Sequence, residues 1–176
     1  MESSLYVALS SQVAISRWLE TMARNVSNMN TAGYRANEVK FSEVMSKAGP
    51  DPVSFTNGGE VYISRQHGDL TKTDNPLDVA VDGDGWLTIH TQAGVAYTRD
   101  GRMSMGTDGM LRTVNDYPVL DSGSLPIILD PEGGTTTIAA DGSVFQGEER
   151  AGTIGLFEIP ADAKLSRLDN SAVVPD

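Results

Sequence analysis

The 176 residues carry 13 basic and 24 acidic side chains, a net charge of −11, with no cysteine and two histidines. That length fits one domain, or one domain with an appendage. An acidic field excludes phosphate backbones and anionic bilayers as main partners, so no nucleic acid is expected. Absent cysteine removes disulfides, thiolate zinc sites and thiol nucleophiles, and two histidines leave little for metal or acid–base chemistry. The charge is unevenly spread. Residues 1–40 hold four basic and three acidic residues, net +1, so the remainder carries −12. The first glycine is Gly33 and the first proline is Pro50. No basic segment precedes the first apolar run, and no run is long enough to span a bilayer. Neither a cleavable signal nor membrane insertion is expected.

Residues 4–29 contain neither Gly nor Pro and predict a helix. Steps of three and four from Leu5 reach Ala8, Gln12, Ile15, Leu19, Met22, Val26 and Met29. Only Gln12 is polar, so the pattern is a heptad seam. Ser3 or Ser4 supplies the start. Tyr6, Val7, Leu9, Val13 and Trp18 widen the apolar surface beyond the seam, which asks for burial on several sides. Two uses fit, a core helix or an oligomerisation helix. Asn30 to Gly33 form an ordinary stop, with Gly33 supplying a positive φ. Asn25 and Asn28 fall inside the last two turns instead. Their amides suit hydrogen bonds to a neighbouring chain.

Residues 36–74, with Gly49, Pro50, Pro52, Gly58 and Gly59, read as an extended linker with one short strand at 61–63. From residue 75 the pattern is β. Strands are expected at 79–81, 86–90, 95–98, 102–105, 111–114, 117–120, 127–129, 135–139, 143–146 and 153–159, with Asp-Gly pairs as turns. Trp86, Thr88 and His90 alternate with Leu87 and Ile89 as on a half-buried strand. The fold class is mainly β with an N-terminal α-helical arm. The expected parts are an assembly helix and turn (1–35), a linker (36–74) and a compact antiparallel β sandwich or barrel-like domain (75–176).

No catalytic, cofactor or metal residue emerges. Asp78, Asp82 and Asp84 do not meet the calcium-loop spacing, because position 6 from Asp82 is Leu87 and position 12 is Ala93. Gly83-x-Gly85 precedes a strand, so it lacks the helix N-terminus that would hold phosphate. His67 and His90 are isolated. Glu148 and Glu149 adjoin each other at a hairpin tip and do not face across a cleft. The chain is not expected to be an enzyme.

Ala23-Arg24-Asn25-Val26-Ser27-Asn28-Met29-Asn30-Thr31-Ala32-Gly33-Tyr34 resembles the N-terminal signature of bacterial flagellar rod and hook proteins, A-x-N-[apolar]-[A/S]-N-x-x-T-x-G-[F/Y]. Leu5-Tyr6-Val7-Ala8 resembles the proximal-rod branch. Gly68-Asp69-Leu70, Asn75-Pro76-Leu77-Asp78-Val79-Ala80-Val81, Gly83-Asp84-Gly85-Trp86-Leu87, Tyr97-Thr98-Arg99-Asp100-Gly101 and Tyr117-Pro118-Val119-Leu120 are similar to later shared segments. The resemblance implies a structural subunit of the basal-body rod, a tube that carries torque from motor to hook. Its partners would be other rod subunits, copies of itself and the flagellar type III export apparatus. Leu5, Ala8, Ile15, Leu19, Met22 and Val26 would bury the seam in the tube's inner wall. Asn25, Asn28 and Thr31 would bond between helices and end this one, and Gly33 and Tyr34 would redirect the chain outward. The arm is expected to order fully only once partners arrive. The resemblance also implies a second, C-terminal helix. Val173-Val174-Pro175-Asp176 shows no late heptad, so that helix is expected beyond this chain. The alternatives are a distal-rod or hook subunit, or a carbohydrate-binding β module or enzyme with a dimerising helix. The last would line an exposed cleft with Trp86, Tyr97 and Tyr117.

Overall fold

The computed structural model describes residues 2–46 and 53–176. Gly49, Pro50 and Pro52 lie outside the described residues, as do the side chains of Ser3 and Ser4. The chain forms two compact units. One comprises Met1–Asn30 and Arg35–Gln66, and the other Thr31–Tyr34 and His67–Asp176.

The first unit pairs a helix with a hairpin. Helix α1 (Glu2–Ser27) has 26 residues, roughly 39 Å at 1.5 Å per residue. Strands β1 (Asn37–Lys40), β2 (Glu43–Ser46), β3 (Val53–Thr56) and β4 (Glu60–Ile63) nest antiparallel, β1 on β4 and β2 on β3. Lys40 pairs with Glu60 and Glu43 with Thr56, so two residues going out face three coming back. That extra residue is a bulge. Gly59 takes it up at φ +80°, and a Cβ there would stand 2.5 Å from Val39 Cγ1. The Asn57 side-chain oxygen accepts the N–H groups of Ser42 (3.1 Å) and Gly59 (3.0 Å). Much of the expected linker is therefore folded. The expected strand at 61–63 is β4, while β1 escapes a hydrophobicity reading because it is Asn-Glu-Val-Lys and gains its burial from the helix.

The second unit builds one core from antiparallel ladders. Its strands are β5 (Gly85–Thr91), β6 (Gly94–Thr98), β7 (Met103–Met105), β8 (Leu111–Thr113), β9 (Thr136–Ile138), β10 (Ser143–Gln146), β11 (Glu149–Thr153), β12 (Leu156–Glu158), β13 (Leu165–Arg167) and β14 (Ala172–Pro175). They form a five-stranded sheet in the order β12-β5-β6-β14-β13, a three-stranded sheet β11-β10-β9 and the pair β7-β8. Leu87, Ile89, Ala96, Leu111, Val119 and Val144 lie at the centre of the core. The mainly-β fold with an N-terminal helix is observed.

Several details differ from the sequence reading. Strand β5 is buried on both faces from Trp86 to Ile89: Leu87 and Ile89 enter the core, and Trp86, only 3% exposed, lies under the Arg99 guanidinium. Residues 79–81 make no strand. Arg99 donates to the carbonyls of Val81 (3.3 Å) and Gly83 (2.7 Å), replacing ladder bonds with side-chain bonds. Residues 117–120 and 127–129 contribute single bridges, such as Ile89 to Val119 and Met110 to Ile128. The tip at Glu148 is a turn as expected, but Glu149 already belongs to β11. The chain's last residues form β14, which pairs with β6.

Three carboxylates are held below their ordinary values. The Tyr62 hydroxyl donates to Glu38 (2.5 Å), Arg112 donates to Asp108 (2.6 Å), and the Ser143 N–H and hydroxyl both reach Asp141 (3.0 Å). A depressed folded-state pKa adds stability above the unfolded value and loses it as pH falls through the folded one. Thermal melts should therefore show the unfolding midpoint dropping as the pH falls through and below the ordinary carboxylate range of about 4.

Candidate assembly surface

Helix α1 has two distinct faces. Ala14 (6% exposed) and Thr21 (7%) are buried, with Val7, Ser10, Ser11, Asn25 and Asn28 partly covered along the same side. This face packs on β1 and β3. Its residues are small or polar, which lets strand backbone approach closely. Their hydroxyls are satisfied within the helix: Ser11 donates to the Val7 carbonyl (3.0 Å) and Thr21 to that of Arg17 (2.9 Å). Arg17 reaches across to the carbonyls of Gly58 (2.9 Å) and Gly59 (3.1 Å) at the bulge.

Asn25 makes the most specific contact. Its amide nitrogen donates to the Asn37 carbonyl at 2.8 Å, and its oxygen accepts the Asn37 N–H at 2.9 Å. The register explains why those groups are available. Ser64 N–H donates to the Ala36 carbonyl at 2.8 Å, and antiparallel partners alternate. Asn37 therefore turns its N–H and C=O away from β4, and Asn25 takes both. Asn28 donates back to the Arg24 carbonyl at 2.9 Å. Both amides, expected to bond a neighbouring chain, make these bonds within this one. Thr21 and Asn37 were not singled out in the sequence, and Arg17 only as part of a narrow charged stripe with Glu20 and Arg24. A second small-residue stripe at heptad spacing (Ser11, Ala14, Thr21, Asn25) was the available signal.

The predicted seam lies on the other side, in solvent. Leu5 is 68% exposed, Ile15 58%, Leu19 54%, Val26 63% and Met29 74%, with Met22 and Ala8 also exposed. Such a stripe along a folded helix is the kind of contiguous apolar surface that monomers rarely show and assembling proteins use. No charge sits on the seam. Arg17, Glu20 and Arg24 keep to their own narrow stripe. Thr31, Gly33 and Tyr34 belong to the second unit and are not part of this face.

The charge division follows the units. The first holds six basic and six acidic residues and is neutral, while the second holds seven basic and eighteen acidic, net −11. Trp86 lies beneath the Arg99 guanidinium (5.2 Å to the ring centre), and Tyr97 stacks on Phe157 at 4.8 Å. Tyr117 is half-buried. These three aromatics do not line an open sugar-binding cleft.

A β unit joined to a helix with an unsatisfied apolar seam is the architecture of an assembling subunit. Comparison with known proteins identifies which assembly. A family model described as the flagellar hook protein FlgE/F/G D1 domain matches residues 80–146. The flagellar basal-body rod protein FlgF of Mesorhizobium japonicum is 47% identical over 175 residues, covering 99% of this chain and 73% of that protein. FlgF of Rhizobium meliloti is 43% identical over the same extent. The rod protein FlgG of Bacillus subtilis is 30% identical over 159 residues, 82% of this chain and 60% of its own length. The chain belongs to the flagellar basal-body rod protein family, as a structural subunit most like FlgF.

Proposed function

We propose that this chain is a proximal-rod subunit whose helix buries its seam against helices of neighbouring rod subunits and of its own copies. The carrying observation is that seam, exposed on a helix whose other face is already occupied. Fully burying one large apolar side chain contributes roughly 1.5–3 kcal/mol, so the five on the seam (Leu5, Ile15, Leu19, Met22 and Val26) give a strong, cooperative drive to assemble. The seam's lack of charge lets like chains approach there, while the acidic second unit keeps unassembled subunits apart. On this reading Leu5, Ala8, Ile15, Leu19, Met22 and Val26 are the interface, and the assembled tube carries torque from motor to hook. Delivery is by the flagellar type III export apparatus, without cleavage of a signal. Deleting the gene and inspecting isolated basal bodies tests the reading. The expected result is basal bodies without a completed rod and non-motile cells. A complete rod with normal swimming would overturn it.

A further inference from the structure

Segments far apart in sequence meet at one corner of the second unit. Gly33 turns at φ +69°, and the Tyr34 N–H donates to the Thr31 carbonyl at 3.2 Å. A Cβ on Gly33 would stand 2.1 Å from the Asp100 nitrogen and 2.4 Å from the Arg99 carbonyl carbon. Two backbones are thus in direct contact, and no larger residue fits there. The Tyr34 ring faces the Arg167 guanidinium, 4.4 Å from its carbon to the ring centre.

The receiving corner is tightly bonded. Thr98 Oγ1 donates to the Ser171 carbonyl and accepts the Asp100 N–H, each at 3.1 Å. The buried Asp100 carboxylate takes two bonds from the Arg102 guanidinium, at 2.9 and 2.7 Å. Asp169 accepts the N–H groups of Ser171 (2.8 Å) and Ala172 (2.7 Å). This corner joins the end of β6 to the connection between β13 and β14. The join needs support: β14 meets β6 through only two residue pairs, Ala172 with Thr98 and Val173 with Tyr97. The strand beyond it, β13, is a three-residue edge. So short a ladder is marginal alone.

We propose that Thr31–Tyr34 is a structural part of the second unit, a clamp that holds the β13–β14 hairpin onto β6, with Arg167 as its receiving side chain. Gly33 and Tyr34 then act inside one subunit and not at a contact between subunits. Because the clamp operates within the isolated chain, its test is independent of rod assembly. Hydrogen exchange followed by mass spectrometry on the full-length chain reads it. Tyr34→Ala and Arg167→Ala should each speed exchange of the peptides spanning residues 165–175 by about tenfold, while exchange in α1 stays unchanged. Arg167 also donates to the Asn170 carbonyl at 3.1 Å, so the double variant should exchange no faster than Arg167→Ala, which already lacks the ring contact. Tyr34→Leu, which preserves apolar bulk and folding, should still cost about threefold through the lost ring–cation contact. Unchanged exchange across residues 165–175 in Tyr34→Ala or Tyr34→Leu, or multiplying effects in the double variant, would overturn the assignment.

Discussion

Leu19→Asp should leave the isolated chain folded and abolish its incorporation into rods. Leu19 is 54% exposed, so the substitution touches no packed surface of the monomer. Its folding cost is limited to helix propensity, about 0.5 kcal/mol, and the melting curve should barely move. In an assembled seam the same carboxylate is buried among apolar side chains without a cation, at several kcal/mol per copy. The penalty recurs in every subunit, so partial function is not expected. Ala14→Asp supplies the contrast. Ala14 faces β1 and β3 and is buried, so its variant should lose roughly 2–4 kcal/mol of monomer stability. Circular-dichroism melts of both proteins, beside swimming assays and basal-body preparations, separate the two faces. Full-length rods built from the Leu19 variant would refute the seam as an interface.

That contrast also shows how far the sequence could be read. The 3-and-4 spacing located the helix and its most apolar stripe, and Gly33 was recognisable as the residue needing a positive φ. Spacing alone could not say what covers each face. Hydrophobicity points to the apolar stripe as the packed one, yet the chain covers the stripe of Ser11, Ala14, Thr21 and Asn25. A hairpin backbone lying close to a helix needs small side chains and hydrogen-bonding partners, and neither raises hydropathy. Strand β4 was legible as the short strand at 61–63, whereas β1 and β3 were hidden for the same reason, since they pack on the helix and show no internal alternation. The Asp-Gly-bounded strands were plain, because turn chemistry there is local. The interior place of β5 in its sheet depends on β12, some seventy residues later, and β14 depends on pairing with β6. Non-local pairing of this kind leaves no mark on a short window. The signature at residues 23–34 was visible as a unit, but its internal division was not. Asn25 serves the first unit and Gly33 with Tyr34 the second.

Asn25→Asp should destabilise the first unit at neutral pH and recover as the solution is acidified. The Asn37 N–H and C=O are both held by the Asn25 amide, at 2.9 and 2.8 Å. A carboxylate keeps the acceptor and loses the donor. It leaves the Asn37 carbonyl without its bond and sets two negative oxygens against it, at a cost of roughly 3–5 kcal/mol. A protonated carboxyl, by contrast, offers one acceptor and one O–H donor and restores both bonds. Folding therefore favours the protonated form, and the folded-state pKa of the new Asp rises above the usual value of about 3.9. For a raised pKa the stability is fully present below the unfolded value and is lost as pH rises through the folded one. Glu38, Asp108 and Asp141 are held below their ordinary values in parent and variant alike, so their loss on acidification cancels in the difference between the two. The gap in melting temperature between parent and variant should accordingly close between pH 7 and pH 4. Asn25→Ala, with neither donor nor acceptor, should show a smaller gap at neutral pH that stays constant over the same range. A constant gap for Asn25→Asp would mean that the carbonyl bond contributes nothing, and that Asn25 holds β1 through its acceptor alone.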